Sequence, residues 1–254
     1  MGNRVKELLR RGEPAVGCWL SLPSPEVAEL LAALEPDWLL VDTEHGPASW
    51  ETVENMIRAM RPTPVVPLVR VAANDPALIK KALDRGAQGV LVPLVHTVDD
   101  VYAAVASCRY PPLGIRGVAG TRASRYGLDL DRYFQEWNDQ VLVAVQVETR
   151  SALDRVEQLA RVEGLDLLFV GPNDLSAALG VFRQFDHPQF RQALERVVQA
   201  ARSAGIAAGY MATSAEDALA RIEQGFQFIS LASDARLLLA AARSALSAVR
   251  SRRA

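Results

Sequence analysis

Three places in this chain set acids or a base directly behind an apolar run: Glu44 and His45 after WLLVDT, Glu148 after VLVAVQV, and Asp174 after LLFVGPN. Runs of that length and composition suit strands buried on both faces of a parallel sheet. Residues just past such strands gather at one edge, and in a (β/α)8 barrel that edge carries the chemistry. Glu148 and Asp174, on neighbouring strand ends, can converge on one divalent cation. Two carboxylates plus waters suit a hard ion such as Mg²⁺ or Mn²⁺ and leave positions for substrate oxygens. Each acid also has a plain structural use, Asp174 as the N-cap of the next helix and Glu148 as a first-turn acid. Singly, those uses suffice; at adjacent strand ends, the pair favours a metal.

The segment DTEHG (42–46) supplies an acid–base candidate in His45, whose unperturbed pKa is about 6.5. Asp42, three residues earlier, could orient the imidazole, and Glu44 could reach a metal or its waters. The plainer reading is a loop histidine bonded to backbone. His96 has no acid beside it, and His187 reads as a surface loop residue. Arg70 closes VVPLVR, where it suits a carboxylate or a developing oxyanion, or a structural ion pair. Gln146 shares a face with Glu148 and could bind substrate or simply be buried. Lys6, Lys80 and Lys81 are the only lysines and none ends a strand, which removes a Schiff-base mechanism. GYMATS and SLASDA are poor in Gly, which argues against a phosphate nest.

The elements that must position these residues are eight apolar runs: 15–20, 38–43, 65–70, 89–94, 141–148, 167–172, 206–211 and 228–233. Helix-period segments with Asp, Ser or Thr caps alternate with them. The pattern predicts one α/β domain over 1–254, a (β/α)8 TIM barrel, and 254 residues suit that fold. Residues 109–140 break the rhythm and are expected to be a long βα insertion forming an active-site loop. Half the residues are apolar, enough for a large core, and the net charge of −2 gives no footprint for nucleic acid. Cys18 and Cys108 lie far apart, outside metal-ligand spacing. With a charged N-terminus and no apolar run near about 18 residues, a cytoplasmic protein off the membrane is expected.

The stretches VDTEHGP (41–47), PLVRV (67–71), IKKALDRGAQGVLVPLV (79–95), RYPPLGIRG (109–117), QVET (146–149) and GLDLLFVGPNDLSAALG (164–180) together resemble the HpcH/HpaI family of metal-dependent (class II) pyruvate aldolases. The resemblance implies a barrel of the phosphoenolpyruvate/pyruvate type, with its last helix swapped between partners in a homohexamer, a trimer of dimers. It implies Glu148 and Asp174 as ligands of Mg²⁺ or Mn²⁺, with Co²⁺ or Zn²⁺ as further options. Pyruvate or a related 2-oxo acid would chelate that metal, Arg70 would bind the keto oxygen, and His45, supported by Asp42, would move protons. Gln146 and the backbone at Gly171, Pro172 and Asn173 would contact substrate; Pro172 has no N–H to give. Asp84 of a neighbouring subunit would help close the site. Val118 and Met211 suggest an apolar patch for the aldehyde, and Tyr210 and Ser233 would also shape the pocket. The implied reaction is reversible cleavage of a 4-hydroxy-2-oxo acid to pyruvate and an aldehyde. The alternatives are a CoA-thioester lyase of the citryl or malyl type, for which no basic or Gly-rich nucleotide pocket is visible, and a non-catalytic barrel that binds a 2-oxo acid.

Overall fold

The structure is a computed structural model describing residues 2–251. The first half of the chain runs α1 (Arg4–Arg10), β1 (Ala15–Leu20), α2 (Pro25–Ala32), β2 (Trp38–Asp42), α3 (Trp50–Met60), β3 (Val66–Arg70), α4 (Pro76–Asp84), β4 (Gly89–Val92) and α5 (Val98–Cys108). The second half runs α6 (Leu130–Gln140), β5 (Leu142–Val147), α7 (Arg150–Asp154), α8 (Val156–Ala160), β6 (Leu167–Val170), α9 (Pro172–Ala178), α10 (Pro188–Ala204), β7 (Ala207–Met211), α11 (Ala215–Glu223), β8 (Phe228–Ser233) and α12 (Asp234–Arg250). The eight strands close in sequence order into one parallel barrel. Two expected strands end two residues early, at Val92 and Val170, because apolar composition continues into the turns Pro93–Leu94 and Gly171–Pro172.

Alternation along each strand divides the core in two. Trp19, Trp38, Leu40, Val66, Leu68, Ala144, Leu142, Phe169 and Phe228 fill the inside of the barrel. Their neighbours Leu39, Val41, Val69, Val143, Val145 and Val147 pack outward under the helices. Extending the inward columns reaches Asp42, Arg70 and Gln146 and then, just past β5, Glu148, all at the C-terminal ends of strands and all buried. The floor at the other end is closed by α1, whose Val5 and Leu8 join the inner cluster. Lys6 is buried there, donating to Val141 O at 2.8 Å and pairing with Asp166 at 2.9 Å. Burial lowers its pKa although Asp166 opposes the shift. The lysine lies at the end of the barrel away from Glu148.

The long interval after α5 is not a βα insertion. α5 follows β4 directly and returns to the floor, so residues 109–129 and α6 form an αβ connection. Arg122 donates to the Arg85 carbonyl at the end of α4, Arg116 to Asp84 at 2.9 Å, and Arg58 of α3 to Tyr126 at 3.3 Å. These contacts lie at helix C-termini, away from the strand ends that carry Glu148. The sequence displayed the segment's length and its Gly and Arg content, but not the end of the barrel it occupies. Val118, exposed on this loop, therefore lies apart from Met211 of the same chain.

No helix among the described residues is long and apolar enough to cross a membrane. α12 nevertheless leaves the barrel. Only its first residue, Asp234, is buried, and Leu237, Leu238, Leu239, Leu246 and Val249 are exposed along it. The helix does not cover its own barrel. Its root is held by Asp234, which accepts from Ser21 N–H (2.9 Å), Ser21 O–H (2.6 Å), Leu22 N–H (3.0 Å) and Ala235 N–H (2.7 Å). Asp234→Ala strands these donors and should cost about 2–4 kcal/mol. Urea unfolding checks this, and a loss below about 0.5 kcal/mol, the scale of an ordinary surface change, would show the anchor to be idle.

Candidate active site

Asp42 and Arg70 are the last residues of β2 and β3 and are paired directly in the sheet register. That register brings the side chains together: Arg70 Nε donates to Asp42 Oδ1 at 2.9 Å and Nη2 to Oδ2 at 2.6 Å. Such a two-point charged bond is among the strongest side-chain contacts. On its other side Arg70 Nη1 donates to Gln146 Oε1 at 3.3 Å and lies 2.8 Å from Glu44 Oε2, an ion pair whose angle falls short of a hydrogen bond. The Trp19 ring supports the guanidinium from 4.3 Å. Gln146 then donates from Nε2 to Glu148 Oε2, and Leu94 N–H donates to Glu148 Oε1 at 2.7 Å. One connected chain thus runs from Asp42 through Arg70 and Gln146 to Glu148.

The plain uses of the two acids do not hold. Thr149 caps α7, so Glu148 stands before the cap and outside the first turn. Gly171 is the N-cap of α9, so Asp174 is the helix's third residue and not its cap. A Cβ at Gly171 would lie 3.1 Å from Glu148 Oε2 and 3.3 Å from Gln146 Nε2, so a glycine leaves that carboxylate its room. Pro172 is buried, while Asn173 and Asp174 are exposed. The Asn173 and Asp174 N–H groups precede the first helical bond, Leu175 N–H to Gly171 O at 2.9 Å.

Electrostatics tie the acids together. Burial pushes the Glu148 carboxyl above its ordinary range, and the charges of Glu44 and Asp174 push it further, against the Leu94 N–H and Arg70. Burial also raises Glu44, while Arg70 and His45 pull it down and Asp42 and Asp174 push it up. Asp42, Glu44 and Glu148 therefore share one guanidinium, and Asp174 adds its negative charge to Glu44 and Glu148. Hard oxygen donors with surplus negative charge fit a divalent cation. No group of three or more His, Cys, Asp or Glu side chains is set to hold a metal among the described residues. A cation bound by Glu148 and Asp174 would take its other ligands from water and substrate.

His45 is exposed at the rim, and the expected Asp42–imidazole pair is not formed among the described residues. Asp42 Oδ1 instead accepts backbone N–H groups of Glu44 (3.0 Å) and His45 (3.3 Å), while Arg70 engages both carboxylate oxygens. Asp42 thus shapes the turn that carries His45. Gly46 completes that turn, since a Cβ there would lie 2.2 Å from the Asp42 carbonyl. His96 Nδ1 meets Ser151 Oγ at 2.9 Å, and His187 caps α10.

The remaining expectations divide. Met211 packs, partly buried, against the inner cluster. Tyr210 faces outward, against Phe226 and Arg221, because one step along a strand reverses the face. Ser233 caps α12. Asp84 sits at the floor, paired with Arg116, whose guanidinium is wrapped by Tyr110, Tyr133 and Trp137. Two contributors were not foreseen. Trp19 could have been found from its inward position on β1, two steps after Gly17; the Leu94 backbone left no signal.

A carboxyl whose folded pKa is raised binds its proton more tightly folded than unfolded. It therefore favours the fold at low pH and loses that contribution as pH rises through the folded value. Metal-free Glu148→Gln should lack this element. Its Tm relative to the parent should rise between pH 4 and pH 8, from below the ordinary carboxyl value upward, and a difference independent of pH would contradict the raised carboxyl.

A profile of the HpcH/HpaI aldolase/citrate lyase family matches residues 15–241. A hydroxypyruvate/pyruvate aldolase of Sagittula stellata is 44% identical over 243 residues, 94% of this chain and 95% of that protein. A 4-hydroxy-2-oxo-heptane-1,7-dioate aldolase of Escherichia coli is 43% identical over 244 residues, 95% of this chain and 93% of that protein. The crystal structure of a family protein from Burkholderia cenocepacia J2315 superposes with a TM-score of 0.94 at 42% identity, covering 98% of this chain and 99% of that one. With a barrel built in the same way and matches that span nearly its whole length, the chain belongs to the HpcH/HpaI aldolase/citrate lyase family.

Proposed function

We propose that this carbon–carbon lyase reversibly cleaves a 4-hydroxy-2-oxo acid into an aldehyde and pyruvate or a related 2-oxo acid such as hydroxypyruvate, with a divalent metal held by Glu148 and Asp174. The observation that carries the reading is the crowd of carboxylates around Arg70 at the strand ends. Mg²⁺ or Mn²⁺ suits the oxygen donors best, and Co²⁺ or Zn²⁺ could replace it. When bound, the cation supplies Lewis-acid stabilisation of negative charge on the 2-oxo acid.

The residues have separable roles. Arg70 has five N–H groups; Asp42 takes two, and Gln146 and Glu44 lie against Nη1. A proton on Nη2 remains for the C2 oxygen, where charge builds as the C3–C4 bond breaks. His45 accepts the proton of the C4 hydroxyl as the aldehyde carbonyl forms. The bond's electron pair passes to C3 and delocalises to the C2 oxygen, and protonation at C3 then gives the 2-oxo acid. Gln146 and the backbone of Gly171, Pro172 and Asn173 orient substrate, the Asn173 and Asp174 N–H groups facing its carboxylate. Met211 lines the aldehyde end.

The site is completed in a homo-oligomer, a hexamer built as a trimer of dimers. α12, exposed along its length, is covered by a second copy. A neighbour's floor loop brings Asp84, with Val118, to the mouth. Free, buried Cys18 and Cys108 suit the cytoplasm.

Exchange of the pyruvate methyl protons in D₂O, followed by NMR with Mn²⁺, Mg²⁺ or EDTA, tests the reading without knowledge of the aldehyde. Metal-dependent exchange is expected, and Glu148→Ala should abolish it together with metal binding. Arg70→Lys should keep the metal and lose about 10²-fold in rate, because a point charge replaces a planar fork. No exchange with any metal, or full exchange in Glu148→Ala, would overturn it.

A further inference from the structure

The turn between β4 and α5 makes a backbone exception beside the site. Leu94 has a φ of 54°, in the left-handed region that a bulky residue rarely adopts. Its side chain does not account for this, being 55% exposed while Pro93 and Val95 on either side are buried. The conformation turns the Leu94 N–H inward, onto Glu148 Oε1 at 2.7 Å. Glu148 Oε2 is held separately by Gln146. Each carboxylate oxygen is thus fixed by one donor and keeps a lone pair for another partner.

We infer that Leu94 is a positioning residue for Glu148: its left-handed backbone, not its side chain, fixes the carboxylate in the orientation that receives a cation. The inference rests on the proposed role of Glu148 as a metal ligand. It gives the strained turn a use and explains why an exposed leucine sits in a conformation that its own packing does not reward. The residue at 94 then governs metal affinity without touching the metal, through which backbone conformations it permits.

Two substitutions at this exposed position separate backbone from side chain. Leu94→Asn keeps a residue tolerant of positive φ, whereas Leu94→Ile introduces β-branching that opposes it. Hydrogen exchange of the residue 94 amide is measured on metal-free protein, and Mn²⁺ affinity by electron paramagnetic resonance of the free ion. The Asn variant should match the parent in exchange and bind Mn²⁺ within about twofold. The Ile variant should exchange faster and bind Mn²⁺ about tenfold more weakly, the scale of losing a ligand's outer partner. An Ile variant with parental exchange and affinity overturns the inference, even if its Tm has moved. Should the parent itself fail to bind Mn²⁺, the metal reading of Glu148 falls by that result alone. The exchange rates then decide the rest: a contrast between Asn and Ile upholds the aiming of Glu148, and equal rates refute it.

Discussion

Arg70 is the charge on which the arrangement depends. A guanidinium this buried is tolerated only when its donors are met, and the two-point bond from Asp42 meets two of them. Below it lie Trp19, Leu40, Leu68 and Phe169, an apolar interior in which charges act strongly on one another. Since Asp42 already engages this cation, Glu44 and Glu148 share what is left, and Asp174 adds its negative charge to both. Their repulsion, added to burial, is why Glu44 and Glu148 hold their protons more tightly than free carboxyls. A bound dication would satisfy the surplus and reverse the direction of those shifts.

The fold produces this by arithmetic along strands. Asp42 and Arg70 meet because β2 and β3 pair at those residues, and Gln146 joins them because it continues the inward column of Leu142 and Ala144 on β5. The chain also presents features turned away from its own barrel mouth: α12 with its row of exposed leucines, and a floor loop whose buried Arg116 holds Asp84. Both are ordered by specific contacts, Asp234 at the root of one and the aromatic wrap of Arg116 in the other.

Much of this was legible in the sequence, for a physical reason. Strands buried on both faces read as unbroken apolar runs, so the acids behind them could be placed on one rim before any coordinates. Partners were harder. Nearness in sequence suggested Asp42 for His45, yet a cross-strand neighbour 28 residues away took the carboxylate, because sheet register outranks sequence distance. Tyr210 and Met211 show the same limit, since both are apolar strand-end residues and only the phase of β7 separates outside from inside. The 109–140 interval announced its length, but the end of the barrel it occupies depends on whether it follows a strand or a helix.

Glu148 shows how little of a site's precision needs side chains. On one side, the backbone N–H of Leu94, beyond β4, holds Oε1; on the other, the bare α-carbon of Gly171, beyond β6, leaves Oε2 its space. Among the described residues, Gln146 Nε2 adds the one side-chain hydrogen bond. The carboxylate just past β5 is therefore located by the chain immediately past its two neighbouring strands, which hydrogen-bond to β5 along its length. Barrel closure fixes those strands relative to one another, so the carboxylate is oriented by the same bonds that make the fold. A carboxylate held this way need not reorganise when a cation arrives, and preorganisation of this kind makes electrostatic stabilisation effective in a buried site.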